Sequence, residues 1–249
     1  MKKKNFKIKV CLFMSLFFVN ILISVLFAKS SVDYSVAESN YDTNFSKLVG
    51  GSYDIFLENL KAGNEMYEKD VAWIQTCESS NKLLIGASGV VWCGYIMSDD
   101  LEKLGYDVIG FGGVTDYQIT EWLPYIHKKY DKVIIFAGVN TLNLSLLNNI
   151  NDFDISCAMK ISDVIEETGE NLLYDGGKVY YVQVKEMTYL QDDGDEKFIQ
   201  RYNKLAERLN TCLKENNVNL YEIPYPTTPE YSSGYVHYNN KMVWMDMLK

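Results

Sequence analysis

The chain has 249 residues, of which 47% are hydrophobic, 14% aromatic and 23% charged, so it is long enough to bury one large core and too apolar to be disordered. The formal net charge at pH 7 is −9, and it becomes −14 without the five lysines near the N-terminus. A surface of this sign repels phosphate backbones and anionic lipids, which argues against nucleic acid as a partner and leaves neutral or acetylated glycans open.

The first 28 residues differ from the rest of the chain. Lysines at positions 2, 3, 4, 7 and 9 precede an apolar stretch from Val10 to Ala28. Such a segment is typical of a signal peptide or of an uncleaved membrane anchor, and both stay open, because Ala28 suits a cleavage site whereas Leu26 does not. In either case the remainder is expected outside the cytoplasm, secreted or at the cell surface. Residues 29–51 are predicted to be a tether, and residues 52–249 a folded domain.

The folded part alternates between two kinds of segment. Helical spacing of apolar residues predicts one or two helices from Tyr53 to Thr76. Five apolar runs then predict strands, at Lys82 to Gly86, Asp107 to Phe111, Lys132 to Ala137, Lys178 to Val184 and Val218 to Ile223. Helical patterns accompany them, at Trp92 to Leu104, Tyr117 to Lys129, Ser145 to Glu167, Glu196 to Asn216 and Asn239 to Leu248. The alternation predicts an α/β domain with a doubly wound, parallel five-stranded sheet in three layers.

Four cysteines lie outside the apolar N-terminal stretch, at positions 77, 93, 157 and 212. Export permits disulfides, but a domain of this size does not need them. Their spacing matches no zinc motif, and paired and free thiols are both left open.

Residues suited to acyl transfer follow three of the predicted strands. Ser88 follows the first strand, Gly113 the second and Asn140 the third. Because ligands of open α/β sheets bind at the carboxyl ends of the strands, we expect these residues to share one cleft. Ser88 is the candidate nucleophile, and the backbone N–H groups of Ser88 and Gly113 with the Asn140 amide are candidate oxyanion donors.

A serine nucleophile needs a base, and the chain has only two histidines. His127 lies in a predicted helix far from any strand end, and its pattern is typical of a solvated helix residue. His237 lies just before the last predicted helix, where it can reach the same sheet edge. His237 is therefore the candidate general base, although a structural hydrogen bond is its alternative role. Trp92 and Tyr95, close after Ser88, are candidates to line an acyl or sugar pocket.

The order Gly86-Ala87-Ser88, Gly112-Gly113, Gly138-Val139-Asn140 and a C-terminal His237 resembles the SGNH, or GDSL-like, hydrolases over residues 80 to 249. This resemblance implies a flavodoxin-like hydrolase fold with Ser88 as nucleophile, Gly113 and Asn140 in the oxyanion hole and His237 as base. It implies no metal and no organic cofactor. Together with export, it makes an esterase acting on O-acyl groups of a carbohydrate, acetyl above all, the expected activity.

One departure from the family pattern concerns the residue that orients the base. The family has an aspartate three residues before the histidine, and this chain has Gly234 there. A backbone carbonyl, a water molecule or a nearby acid such as Glu230 remain open as substitutes. The alternative hypothesis is a catalytically silent domain of the same fold that binds glycan or assists envelope assembly.

Overall fold

The structure, a computed structural model, describes residues 72–116, 119, 123, 126, 128–142, 155–188, 196–233 and 237–249. These residues belong to one compact unit of the chain. The predicted N-terminal segment, the tether and most of the first predicted helix lie outside them, as do His127 and Gly234. Within the described part, no helix combines the length and apolarity needed to cross a membrane.

The centre of the fold is a six-stranded sheet with the strand order β1-β3-β2-β4-β5-β6. Its strands are β1 (Ala72–Gln75), β2 (Lys82–Gly86), β3 (Tyr106–Phe111), β4 (Tyr130–Phe136), β5 (Leu173–Val182) and β6 (Leu220–Tyr221). All neighbouring pairs are parallel except β1 with β3. The helices with both ends in the described residues are α1 (Ser88–Lys103), α2 (Ile155–Leu172), α3 (Glu196–Glu215) and α4 (Lys241–Leu248). A small antiparallel hairpin, β7 (Ser232–Ser233) with β8 (His237–Tyr238), precedes α4.

The two faces of the sheet are covered by different helices. Along β2, Leu83 and Ile85 pack in one apolar cluster with residues of α2 and α3, whereas Leu84 packs in a second cluster with residues of α1 and α4. Successive side chains of a strand point to opposite faces, so one apolar run supplies both clusters. The predicted three-layer, doubly wound architecture is confirmed, with β1 as a sixth, antiparallel strand at the edge.

The strand β1 corrects the helix predicted from Tyr53 to Thr76. Ala72–Gln75 is extended and pairs with β3, Trp73 opposite Gly110 and Ile74 opposite Ile109. Ile74 packs in the cluster with α2 and α3, and Trp73 packs against the cluster with α1 and α4. The two neighbouring residues therefore serve opposite faces of the sheet, a period of two that four residues are too short to reveal in the sequence.

The bounds of several other elements also differ from the prediction. Helix α1 begins at Ser88 rather than Trp92. The sequence gives no signal for this start, because the N-cap residue, Ala87, has no side chain that could form a capping hydrogen bond. Strand β5 begins at Leu173 rather than Lys178. Its first half was missed because these residues are largely exposed and do not form an apolar run. Strand β6 has only two residues. The thiols of Cys77, Cys93 and Cys212 are free.

Candidate active site

The register of the sheet brings three loops to one edge. Gly86, the last residue of β2, pairs with Gly110 of β3 and with Phe136 of β4. These three strands are parallel, so the loops that follow them leave the sheet side by side. The backbones are also close, because the Ala87 N–H donates to the Phe136 carbonyl at 3.0 Å. A side chain at Gly86 would place its Cβ 2.1 Å from the same carbonyl oxygen, which is why only glycine fits there.

Ser88 is the first residue of α1 and is half-buried. The N–H groups of Val90 and Val91, in the first turn, both donate to the Ala87 carbonyl. Among the described residues, the N–H groups of Ser88 and Gly89 have no such acceptor. The hydroxyl thus lies at a helix N-terminus with free backbone donors, where the helix dipole favours a developing negative charge.

His237 lies within hydrogen-bonding distance of this hydroxyl, its Nε2 being 2.8 Å from Ser88 Oγ. Burial lowers the pKa of His237 from 6.5 to about 4, so the imidazole is neutral at pH 7. A neutral imidazole that accepts the serine proton at Nε2 has the protonation state and the geometry of a general base. The structure therefore brings together the two residues proposed from sequence as nucleophile and base, which are 149 positions apart.

The two other predicted oxyanion residues lie on adjacent loops. Asn140 follows β4 in a helical segment, and its Nδ2 donates to the Val114 carbonyl at 2.8 Å. This bond uses one of the two amide N–H groups of Asn140 and leaves the other for a ligand. Gly113, next to Val114, is exposed and has a φ of +78°, a conformation that glycine adopts without strain. Asn140 and the Gly113 turn are thus tied to each other, on loops that follow the two strands flanking β2.

A buried aspartate that the sequence analysis missed lies beneath these two loops. Asp116 accepts hydrogen bonds from Thr141 Oγ1 at 2.6 Å and from the Tyr181 hydroxyl at 2.8 Å. Burial raises the pKa of its carboxyl, and the two hydroxyl bonds act in the opposite direction. Since Thr141 follows Asn140, this bond joins the same two loops a second time. An acid only three residues after Gly113 at a strand end was the available signal in the sequence.

The loop that carries His237 is anchored to the core by its neighbour. Tyr238 is buried, and its carbonyl accepts a hydrogen bond from Trp244 Nε1 at 2.8 Å. Trp244 is fully buried in α4 and makes an edge contact with Phe136, with ring centroids 5.6 Å apart. Because Phe136 also accepts the Ala87 N–H, one aromatic contact links the histidine loop to the serine loop.

The two aromatic residues predicted to line a pocket have different neighbours. Trp92 is half-buried, and its ring stacks on that of His237 with centroids 5.6 Å and an interplanar angle of 27°. Tyr95 makes an edge contact with Trp73 of β1, with centroids 5.0 Å apart. The structure places Trp92 at the histidine and Tyr95 against the edge strand. Contact of either with a substrate stays a prediction.

Glu230 is the acid that the sequence left open as a substitute for the missing aspartate that orients the histidine. The Glu230 carboxylate lies beside the hydroxyl of Tyr231 and raises the pKa of that tyrosine. No carboxylate of the described residues makes an ion pair or hydrogen bond with the His237 ring. The sequence from 231 to 240, which includes Gly234 at the position of the family aspartate, contains no acidic residue. Within the described part of the chain, the Glu230 carboxylate therefore does not orient His237.

A cavity of about 400 Å³ lies away from these residues, between α3 and the segments that follow β5 and β6. Its lining combines lysine, glutamate and neutral polar side chains and includes none of the predicted site residues. In the described part of the chain, no three histidine, cysteine or acidic side chains are grouped as metal ligands.

No protein-family model and no curated protein matches the sequence. Two solved structures are similar to the chain: a GDSL-like lipase from Bacteroides thetaiotaomicron and a predicted acylhydrolase from Bacteroides fragilis. The first is 17% identical over 77% of this chain and 91% of that chain, with a TM-score of 0.52. The second is 16% identical over 70% and 87%, with a TM-score of 0.51. At these identities the likeness is one of fold, and the chain has the α/β fold of the GDSL-like hydrolases that the sequence resemblance implied.

Proposed function

We propose that the chain is a serine ester hydrolase in which Ser88 is the nucleophile and His237 the general base. The observation that carries this proposal is the 2.8 Å contact between Ser88 Oγ and the Nε2 of a neutral imidazole, at the carboxyl edge of a parallel sheet. The fold shared with a GDSL-like lipase and a predicted acylhydrolase supports the same class of reaction.

In the proposed reaction, Ser88 Oγ attacks the ester carbonyl carbon while its proton passes to His237 Nε2. The carbonyl oxygen becomes an oxyanion, held by the N–H groups of Ser88 and Gly113 and by the free Asn140 amide hydrogen. The tetrahedral intermediate then collapses, the C–O bond of the ester breaks, and His237 gives its proton to the departing alcohol. Water, deprotonated by His237, attacks the acyl-enzyme in the same way and releases the acid and Ser88.

The substrate that we propose is an O-acyl carbohydrate, with acetyl as the acyl group, outside the cytoplasm. The basic and apolar N-terminus supports export of the remainder of the chain. The net charge of −14 without the N-terminal lysines disfavours phospholipid and nucleic-acid surfaces and is compatible with neutral glycans.

A silent binding domain is the second candidate, because no described carboxylate contacts His237. Loss of the triad acid lowers turnover about 10⁴-fold in serine proteases. A fluorophosphonate probe separates the two candidates: labelling that requires both Ser88 and His237 supports the hydrolase, and glycan binding without labelling supports the silent domain.

The proposal is tested with the full-length chain and p-nitrophenyl acetate. Ser88→Ala is expected to abolish turnover, because it removes the atom that forms the acyl-enzyme. Ser98→Ala is the matched control, a half-buried serine on the same helix, and should retain turnover. Equal turnover by wild type and Ser88→Ala would refute the assignment. Acetate release from acetylated oligosaccharides, compared with p-nitrophenyl esters of longer acids, tests the proposed substrate.

A further inference from the structure

The contact between Trp92 and His237 bears on how the base is held. The two rings are stacked with centroids 5.6 Å and planes 27° apart, within the range of offset aromatic pairs. Trp92 comes four residues after Ser88 on α1, so the two side chains lie on the same helix face, one turn apart. A single helix therefore presents both the hydroxyl that contacts His237 Nε2 and an aromatic surface against the ring.

A histidine held only at Nε2 is free to tilt about that bond. In the usual triad a carboxylate prevents this by binding Nδ1. Here no carboxylate of the described residues, Glu230 included, contacts the ring. The neighbouring segment from 231 to 240 has no acid to offer. The flat face of Trp92 is the contact recorded in the structure that restrains tilting, and it also shields one face of the imidazole from water.

We propose that Trp92 is a positioning residue that holds the His237 ring against Ser88 through face-to-face contact. This inference rests on the proposed hydrolase function. In this role Trp92 acts on the base, His237, whereas a pocket-lining tryptophan would contact the substrate. The two roles differ in kinetics: a positioning role affects kcat, and a pocket role affects KM.

The experiment compares Trp92→Leu, Trp92→Phe and the matched control Trp73→Leu in the full-length chain. Trp73 is also a half-buried tryptophan packed against α1, but it contacts Tyr95 and lies over Gly94 rather than His237. The measurements are kcat and KM for p-nitrophenyl acetate between pH 4 and 8, with thermal unfolding to verify that each variant is folded. Trp92→Phe keeps a stacking ring and so separates loss of the aromatic face from loss of the tryptophan.

We expect Trp92→Leu to lower kcat by about tenfold at unchanged KM, and Trp92→Phe to restore most of it. The acid limb of the profile should move toward pH 6.5 in Trp92→Leu, because water then reaches the ring and its pKa rises. Trp73→Leu should leave kcat and the acid limb unchanged. The inference is overturned if Trp92→Leu raises only KM, leaves kcat unchanged, or lowers it no more than Trp73→Leu does.

The proposed function and this inference fail in different ways. If wild-type turnover does not depend on Ser88, the hydrolase assignment itself is wrong and Trp92 has no base to position. If turnover requires Ser88 but Trp92→Leu keeps full kcat, only the positioning role is wrong.

Discussion

A buried aspartate lies at each end of the parallel sheet, Asp107 near the start of β3 and Asp116 in the segment after β3. Their surroundings differ. At the amino end, Asp107 Oδ1 accepts the Cys77 N–H at 2.8 Å, and its Oδ2 accepts the Tyr130 hydroxyl at 2.8 Å. Lys128 forms an ion pair with the same carboxylate at 3.0 Å. This cluster joins β3, β4 and the loop before β2, and its polar groups bind one another.

At the carboxyl end, the carboxylate of Asp116 accepts hydrogen bonds from the hydroxyls of Thr141 and Tyr181. Ser88 and His237, at the same end of the sheet, are both half-buried. The contacts at this end fix loops rather than neutralise a charge, and they leave the hydroxyl, the imidazole and one amide hydrogen of Asn140 available. Changes at the amino end should therefore alter stability with little effect on turnover, and changes at the carboxyl end should do the reverse.

The largest effect is expected for His237→Ala. Removal of the base should lower kcat for p-nitrophenyl acetate by about 10³-fold, because the Ser88 proton then has no acceptor. The free energy of unfolding in urea should change by no more than about 1 kcal/mol, since the half-buried ring makes one hydrogen bond, to a hydroxyl that water can also reach. A kcat within tenfold of wild type would show that another group takes the proton.

Asp107→Ala should have the opposite profile. It removes the acceptor for a buried hydroxyl and a buried N–H, and we expect it to lower the free energy of unfolding by about 3 kcal/mol. Turnover of the folded protein at 25 °C should remain within about twofold of wild type. Asp131→Ala is the control, because the carboxylate of that exposed residue accepts a hydrogen bond from Asn81 Nδ2 at the surface, and its loss should cost less than about 1 kcal/mol. A large loss of kcat in Asp107→Ala would break the division between the two ends.

Asp116→Asn should lower kcat by about tenfold at unchanged KM, because an amide offers one acceptor oxygen where the carboxylate offers two, and the loops of Gly113 and Asn140 become less well fixed. Thr141→Val removes one of the two hydroxyl bonds and should have a smaller effect in the same direction. Steady-state kinetics with thermal unfolding checks both variants. If kcat is unchanged although the protein becomes less stable, Asp116 stabilises the fold in the way that Asp107 does and does not support the site.

The smallest effect is expected at Tyr106, whose buried hydroxyl has no hydrogen-bond partner in the described part of the chain. Tyr106→Phe should raise the free energy of unfolding by about 1 kcal/mol, because an unpaired polar atom no longer has to be buried. Tyr130→Phe is the matched comparison and should lower it by about 1 kcal/mol, since its hydroxyl binds Asp107. Urea unfolding of both variants gives the sign directly, and stabilisation by Tyr130→Phe would contradict this account of the amino end.

Much of the sheet was predictable from sequence, because apolar runs with clear ends define β2 and the starts of the loops after β3 and β4. Strand β2 was predicted at its observed bounds, Lys82 to Gly86. Strand β1 was not, since four residues at the edge carry too short a pattern. The start of α1 was missed because Ala87 provides no capping side chain.

At the candidate site, the residue types after three strand ends pointed to Ser88, Gly113 and Asn140, and the presence of only two histidines pointed to His237. The supporting contacts could not be predicted in this way, because they join positions far apart in the chain: Asp116 with Tyr181, Trp244 with Phe136, and Trp92 with His237. Sequence shows that a strand end has a polar residue, but packing decides which of these residues meet.

The most direct test of the account is the rate at which a fluorophosphonate labels Ser88 at pH 7 and pH 5, in wild type and in His237→Ala. Because burial lowers the pKa of His237 to about 4, the base stays neutral at both pH values, and the wild-type rate should fall by less than about twofold. An imidazole with its ordinary pKa of about 6.5 would lose about 25-fold over the same interval. In His237→Ala the rate should be at least about 100-fold lower. Labelling of Ser88 at equal rates with and without His237 would contradict the proposed role of His237 as the base.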